Sequence, residues 1–328
     1  MSALETMMPP VQRVAANGVE LAYYEVNKGQ GVPVVFCHGF PELAFSWRHQ
    51  LKAFEAAGRW AIAPDQRGYG LSSKPSAVTD YDMDHLAGDM IGLLDKLGLE
   101  KAVFCGHDWG GFVVWQLPLM HPDRIAGVIG LNTPMMPRSP VDPIAAMRAA
   151  YGPDMYIVWF QTPGDADAVL GRDVDKTMRF FMRKPATSGI TTAAEPNASG
   201  STFAFKDLLN AWDPSDTTGQ MLTAEELAAF VQAFQAGGFT GPINWYRNFT
   251  RNWEASENLP GRIDGIPCLM ITAELDAVLR PAMADHMPAF IGDLETHMVK
   301  GSGHWTQQEK PDEVNALILG WLDRRFPT

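Results

Sequence analysis

Short apolar segments alternate with segments of helical periodicity from the N-terminal region up to residue 131. The candidate strands read VELAYYEV, PVVFC, RWAIAP, AVFCG and AGVIGL. Four of them are continuous apolar runs without two-residue alternation, as expected for strands that are buried on both faces. The first, VELAYYEV, alternates with polar residues and predicts an antiparallel edge strand. Strands that alternate with helices favour a mostly parallel sheet covered by helices on both faces, which is an α/β fold.

The strand pattern then stops, and residues 134–260 favour helices and loops. Residues 184–203 are small, polar and interrupted by glycine and proline, so they predict a loop. Residues 223–226, TAEE, form the sequence signature of a capping box. They open a helix that we expect to end at the two glycines at 237–238. Pro242 is expected to open the next helix.

The α/β pattern returns in the last part of the chain. It consists of two further strands and a closing amphipathic helix, IPCLMITAELD, ETHMVKG and DEVNALILGWLDRRF. A strand–helix pattern that is interrupted once predicts a single α/β domain with an insertion. We therefore expect a core domain formed by residues 1–133 and 261–328, and a helical cap, or lid, formed by residues 134–260.

Composition and charge fit a globular protein and narrow the range of its partners. Of the 328 residues, 46% are hydrophobic and 20% are charged, and the formal net charge is −12. An acidic surface repels phosphate backbones and anionic lipids, which disfavours nucleic-acid and membrane-surface roles. No apolar stretch approaches the ~20 residues that cross a bilayer. The three cysteines, Cys37, Cys105 and Cys268, lie in or beside apolar runs, which favours reduced core residues of a cytoplasmic protein.

The turn after the strand AVFCG carries the most informative chemistry. Residues 104–111 read FCGHDWGG, so glycines flank a central Asp108 between a strand and a helical segment. This is the layout of a nucleophile elbow, in which a sharp turn exposes the central side chain above the sheet. The alternative interpretation is an aspartate that only caps the helix N-terminus. A carboxylate in such an elbow can act as the nucleophile of covalent catalysis.

Three other turns at strand ends hold groups that fit the same site. His38-Gly39-Phe40 follows PVVFC and can aim a backbone N–H into the site. Asp276 lies at the end of a later strand, and His304 lies in a glycine-rich loop after the last strand. Nucleophile, acid and histidine follow one another in the triad order of the α/β-hydrolase fold. Loops at the carboxyl ends of parallel strands share one edge of the sheet, where ligands bind.

Six motifs carry a resemblance to one enzyme family: HGFPE, DQRGYG, GHDWGG, INWYRN, TAELD and GHWTQ. In content and order, over nearly the whole chain, they resemble the soluble epoxide hydrolases of the α/β-hydrolase superfamily. The resemblance implies Asp108 as the nucleophile, His304 as the base and Asp276 as the acid that orients this base. It also implies that the backbone N–H groups of Phe40 and Trp109 form an oxyanion hole.

The same resemblance implies that two tyrosines of the cap donate hydrogen bonds to the epoxide oxygen. INWYRN contains Tyr246, and the stretch MYIVWFQTPG contains Tyr156. The spacing back from Pro163-Gly164 selects Tyr156 over the nearby Tyr151. Phenols with a pKa near 10 stay protonated at neutral pH and can stabilise the alkoxide that forms when the ring opens. The alternative is that both tyrosines only pack within the cap.

The implied reaction converts an epoxide and water to a vicinal diol through an ester on Asp108, without a cofactor. A haloalkane or haloacid dehalogenase uses the same ester chemistry but needs halide-binding side chains, such as Trp or Asn, where this chain has Phe40. A non-catalytic binding protein of this fold is the other alternative, although such proteins usually lack a triad residue. The sequence contains no GxSxG, phosphate-loop or HExxH motif, and we expect no metal site.

The substrate pocket is expected to be apolar. Large apolar side chains flank the motif positions, namely Trp305, Met135, Met136 and Leu279. Aryl or alkyl epoxides therefore fit such a pocket better than charged ones. The expected partners are a small apolar epoxide and water.

Overall fold

One twisted sheet forms the centre of the protein, whose computed structural model describes residues 3–184 and 203–327. Its strands are β1 (Gln12–Ala16), β2 (Val19–Val26), β3 (Val34–Cys37), β4 (Ala61–Pro64), β5 (Ala102–His107), β6 (Ile125–Leu131), β7 (Cys268–Ala273) and β8 (Leu294–Val299). Their order across the sheet is β1-β2-β4-β3-β5-β6-β7-β8. The loop predicted at residues 184–203 lies almost entirely outside the described residues.

The sheet is parallel from β4 to β8, and β1 and β2 add an antiparallel hairpin at one edge. All residues of β3, β4, β5 and β7 are buried, as the continuous apolar runs predict. The mostly parallel α/β fold is therefore confirmed.

The prediction that VELAYYEV is an edge strand is wrong. This segment is β2, and it pairs with β1 on one side and with β4 on the other. The edge strand is β1, whose sequence QRVAA is short and only weakly apolar. Asn17 and Gly18, with φ values of 48° and 78°, form the two-residue turn that joins the two strands. Asn-Gly at such a turn is a strong hairpin signal, so the sequence contained the information.

Helices surround the sheet and also fill the chain between β6 and β7. They are α1 (Ala3–Met7), α2 (Arg48–Ala56), α3 (Met83–Leu97), α4 (Trp109–Met120), α5 (Pro143–Tyr151), α6 (Tyr156–Trp159), α7 (Asp165–Gly171), α8 (Val174–Phe181), α9 (Phe205–Ala211), α10 (Ala224–Gly237), α11 (Thr240–Arg247), α12 (Phe249–Ala255), α13 (Thr306–Glu309) and α14 (Pro311–Arg325). Short 3₁₀ turns cover Ala44–Trp47, Val78–Tyr81, Pro122–Arg124, Ser256–Asn258, Pro281–Ala284 and Met287–Ala289.

Two glycines of β6 show that helices cover both faces of the sheet. A Cβ atom on Gly127 would meet Trp321 of α14, and one on Gly130 would meet Trp115 of α4. Residues three apart in a strand face opposite sides, so α14 and α4 lie on different faces. Both positions need glycine because the indole rings lie directly against the strand.

The helices between β6 and β7 follow their sequence signals closely at α10 and less closely at α11. Thr223 accepts from the Glu226 N–H, and the Glu226 carboxylate accepts from the Thr223 N–H, which completes the predicted capping box. The next helix begins at Thr240 rather than at Pro242, and Asn248 divides the predicted single helix into α11 and α12. The backbone of Asn248 leaves helical geometry, with φ −98° and ψ 6°, while its side chain donates to Asn244 O and Val78 O.

The carboxyl ends of β3, β5, β6, β7 and β8 meet at one edge of the sheet. The turns that leave these strands carry all the predicted triad residues, and the helices between β6 and β7 cover them. Among residues 3–184 and 203–327, no helix is both long and apolar enough to span a membrane.

Candidate active site

Asp108 lies on a sharp turn between β5 and α4. Its φ of 50° and ψ of −119° are rare for a residue other than glycine, which is the backbone strain expected at an elbow of this kind. A Cβ atom on Gly39 would overlap the Asp108 side chain, and one on Gly110 would overlap Cys37 O. The glycines are therefore needed because neighbouring backbone and the Asp108 carboxylate pass so close to them.

Two backbone N–H groups donate to the carboxylate of Asp108. The Phe40 N–H donates to Asp108 Oδ1 at 2.7 Å, and the Trp109 N–H donates to the same carboxylate. Thr133 Oγ1 donates to Asp108 O at 2.8 Å and anchors the turn from behind. The two N–H groups are preorganised, because each belongs to a turn that the sheet holds in place.

His304 lies between the two aspartates of the predicted triad. Its Nδ1 is 2.9 Å from Asp276 Oδ2, and its Nε2 is 3.7 Å from Asp108 Oδ2. Nδ1 must donate, because a carboxylate oxygen can only accept. The other oxygen of Asp276 accepts from the backbone N–H groups of Val278 and Leu279, both at 2.9 Å.

The electrostatics of the three residues are strongly coupled. Burial alone would raise the pKa of Asp276, but the charge and hydrogen bond of His304 hold this pKa well below its usual range. Burial alone would lower the pKa of His304, but Asp276 and Asp108 outweigh it and raise the pKa to about 9. Burial raises the pKa of Asp108, and the nearby histidines offset part of that rise. At neutral pH Asp276 is therefore a carboxylate and His304 an imidazolium in the resting site.

Asn132 supports Asp276, and sequence reasoning missed it. Its Nδ2 donates to Asp276 Oδ2 at 2.7 Å and lies 3.2 Å from His304 O. Asn132 follows β6 directly and has a positive φ of 61°. The sequence signal that could have identified Asn132 is a polar residue directly after an apolar strand.

A buried pair, Glu42 and His107, lies beneath the site and was also missed. His107 Nδ1 is 2.7 Å from Glu42 Oε2, and His107 Nε2 is 2.6 Å from His304 O. Burial alone would raise the pKa of Glu42, but the charge and hydrogen bond of His107 outweigh it and lower the pKa to about 2. Both ring nitrogens of His107 thus face acceptor oxygens, one on Glu42 and one on the His304 backbone. Glu42 also accepts from the Gly39 N–H at 2.9 Å, so the pair links the Phe40 turn to the His304 loop.

Tyr156 and Tyr246 lie side by side above Asp108, with ring centroids 5.9 Å apart. Both are buried, and Tyr246 packs edge-on against Trp109 at 5.1 Å and Phe40 at 5.3 Å. Burial raises the pKa of each phenol and the Asp108 charge raises it further, so both hydroxyls keep their protons. The Trp109 side chain hydrogen-bonds to the Tyr246 hydroxyl. Tyr151, the alternative to Tyr156, is half exposed.

A large cavity of about 1450 Å³ opens beside these groups. Of the predicted site residues it is lined by Asp108, Trp109, Asp276, Tyr156, Tyr246, Met136 and Leu279. Two predicted pocket residues, Met135 and Trp305, are buried and do not line it. Met135 points into the core while its neighbour Met136 faces the cavity. Trp305 packs against the His304 ring at 4.7 Å and donates through its indole N–H to Phe181 O at 2.8 Å.

Comparison with known proteins identifies the family. The model of the alpha/beta hydrolase fold matches residues 32–311. Epoxide hydrolase A of Mycobacterium tuberculosis is 43% identical over 319 residues, which cover 96% of this chain and 98% of that enzyme. Bifunctional epoxide hydrolase 2 of Sus scrofa is 42% identical over 93% of this chain, which spans about half (54%) of the length of that enzyme.

Solved structures agree with this result. The crystal structure of Epoxide Hydrolase A from Mycobacterium thermoresistibile superimposes with a TM-score of 0.85 at 42% identity, covering 97% of this chain and 99% of that one. This chain therefore belongs to the epoxide hydrolases of the alpha/beta hydrolase fold, as the sequence motifs predict.

Proposed function

We propose that this epoxide hydrolase converts an apolar epoxide and water to a vicinal diol through a covalent ester on Asp108. Asp108 Oδ2 attacks a ring carbon, the ring C–O bond breaks, and the epoxide oxygen leaves as an alkoxide that is protonated. Water then cleaves the ester at its carbonyl carbon, which regenerates the Asp108 carboxylate and releases the diol. The nucleophile must be a carboxylate, because a serine would form an ether that water could not cleave.

The observation that carries this proposal is that the two carboxylate oxygens of Asp108 have different partners. Oδ1 accepts from the Phe40 N–H at 2.7 Å, whereas Oδ2 faces His304 Nε2 at 3.7 Å and remains available for attack. After alkylation Oδ1 becomes the ester carbonyl oxygen. The N–H groups of Phe40 and Trp109 then stabilise the negative charge that develops on Oδ1 in the tetrahedral intermediate.

Tyr156 and Tyr246 are the proposed acids of the first step. Their phenols are protonated, buried and above the nucleophile, so they can donate to the oxygen that leaves the ring carbon. The Trp109 side chain bonds to the Tyr246 oxygen and leaves the Tyr246 O–H proton free for the substrate. Each donor of this type contributes ~2.7–4 kcal/mol to the stability of a transition state.

His304 is the proposed base of the second step, and ester formation itself prepares it. The Asp108 charge is one of the causes that raise the pKa of His304. Because the ester is neutral, this contribution disappears on alkylation and the pKa of His304 falls towards neutrality. Loss of a proton then leaves Nε2 free to accept one from water, while Asp276 fixes the tautomer through Nδ1.

The proposed division of the chain assigns residues 1–133 and 261–328 to the core domain and residues 134–260 to the cap. The end of β6 at Leu131 and the start of β7 at Cys268 support these boundaries. Both proposed acids then come from the cap, while the other reacting groups come from the core. A cytoplasmic location is part of the proposal, because Cys37, Cys105 and Cys268 are free and buried thiols.

Styrene oxide and a bromoalkane of similar size test the reaction class. We expect the protein to form phenylethanediol from styrene oxide and to release no bromide, because Phe40 offers no side-chain donor at the position where a dehalogenase needs a halide-binding side chain. Asp108→Ala is the control and should form no diol. Bromide release without diol formation would favour the dehalogenase, and inactivity toward both, with a panel of larger apolar epoxides also inert, would favour a binding protein.

A further inference from the structure

The two cap helices that carry the tyrosines are too short to hold their own positions. Tyr156 begins α6, which is a single turn of four residues, and Tyr246 lies in α11, which has eight residues. Isolated helices shorter than ~12–15 residues are marginal in water. The separation of the two phenols must therefore be set by contacts with the rest of the protein, among them contacts between the two segments.

Gln161 makes one such contact directly between the two segments. Its Nε2 donates to Ile157 O at 2.8 Å and to Tyr246 O at 2.9 Å. An amide nitrogen carries two N–H groups, so both bonds form at once. The Gln161 amide therefore joins Ile157, the residue after Tyr156, to Tyr246 itself.

Arg247, which ends α11, makes a matching contact from the second segment to the first. Its Nε donates to Phe160 O at 3.0 Å. The rest of its guanidinium is held by Asp167, with Nη2–Oδ2 at 2.5 Å, and by Asn244 Oδ1 at 2.8 Å. The side chain of Arg247 is only 4% exposed, so its planar guanidinium group is fixed in one orientation.

The Phe160 ring connects the two cap segments to the reacting groups. The Phe160 ring lies 5.6 Å from Tyr156 and 5.0 Å from Tyr246, centroid to centroid. It also packs on Phe40 at 5.7 Å, the residue whose N–H bonds to Asp108. A shift of either cap segment would therefore change where the phenols lie relative to the nucleophile.

We propose that Gln161 and Arg247 are positioning residues that fix the separation of Tyr156 and Tyr246, so that both hydroxyls converge on a single epoxide oxygen. The proposal rests on the proposed role of the two tyrosines. An epoxide has only one oxygen, so two donors are useful together only if their spacing matches it. A misplacement of about 1 Å can cost ~10²-fold in rate.

Single-turnover kinetics of Gln161→Met, with enzyme in excess, test the proposal. Methionine keeps the length of glutamine and removes the amide group that donates both bonds. We expect ester formation to slow roughly tenfold, because misplaced phenols stabilise the alkoxide less well. Ester hydrolysis should be nearly unchanged, since that step depends on His304 and the two backbone donors. Gln220→Met is the matched control, because the amide of this exposed glutamine donates only to Leu222 O, at 3.4 Å, among the described residues.

The decisive comparison repeats Gln161→Met in a Tyr246→Phe background. With one phenol gone, the spacing of the pair no longer matters, so the further slowing should be several-fold smaller than in the parent. If Gln161→Met slows ester formation by the same factor in both backgrounds, or slows both half-reactions equally, its role is purely structural and the proposal is overturned.

Arg247→Lys keeps the charge opposite Asp167 but loses the Nε donor, and should slow ester formation selectively as well. If the Tyr246→Phe enzyme forms the ester at the parent rate, Tyr246 is not an acid of the first step. That result would contradict the proposed function as well as this inference.

Discussion

The His304→Gln enzyme is expected to consume one molar equivalent of epoxide and then stall. In the proposed mechanism, ester formation needs the Asp108 carboxylate and the two tyrosines, which this variant keeps. Ester hydrolysis needs a base for water, and a positioned base contributes typically 10²–10⁴-fold. Intact-mass analysis should therefore find the enzyme heavier by the mass of the epoxide, with the adduct in the peptide that contains Asp108.

His286→Gln serves as the control for this variant, because His286 is exposed and lies outside the site. It should turn over steadily like the parent. Steady turnover by His304→Gln at the parent rate, without an adduct, would remove His304 from the mechanism. A stalled enzyme without an adduct would instead show that His304 is needed before the ester forms.

The double variant Tyr156→Phe/Tyr246→Phe is expected to form almost no ester. Phenylalanine keeps the ring and removes only the hydroxyl, so the alkoxide loses both donors. Loss of one comparable donor costs ~2.7–4 kcal/mol, or about 10²–10³ in rate. Each single variant should therefore keep a measurable rate through the surviving phenol. Rapid quenching of a single turnover measures the rate of ester formation directly.

Tyr151→Phe is the matched control for the tyrosine variants. Tyr151 also lines the cavity but is half exposed, and its ring packs on Phe203 rather than on the partner phenol. It should behave like the parent. If Tyr151→Phe is damaging and Tyr156→Phe is silent, the assignment of the first phenol is wrong. If the double variant alkylates at the parent rate, the cap does not supply the acid.

Much of the fold could be predicted from the sequence because its signals are local. Strands buried on both faces appear as continuous apolar runs, and the capping box at Thr223 and Glu226 lies within four residues. The edge strand β1 was missed because a short, half-exposed strand has too few apolar positions to show a pattern. The division of α11 from α12 was missed because it depends on Asn248 reaching Val78, which is 170 residues away.

The site shows the same contrast between local motifs and distant contacts. Asp108, His304 and Asp276 follow strands at turns that the motif order predicts, and the structure brings them within hydrogen-bonding range or close to it. Glu42 and His107 lie inside two of the quoted motifs, yet their pairing joins residues 65 positions apart. Trp305 was predicted to line the pocket because it adjoins His304, but adjacency in sequence does not decide which way a side chain points.

A single turnover in heavy-oxygen water, with enzyme in excess, tests the central claim most directly. If Asp108 forms an ester, the oxygen added to the epoxide carbon comes from its carboxylate. The first diol should therefore be mostly unlabelled, and the label should appear in the peptide that contains Asp108. Labelled diol from the first turnover, with no label in that peptide, would mean that water attacks the epoxide directly and would contradict the ester mechanism.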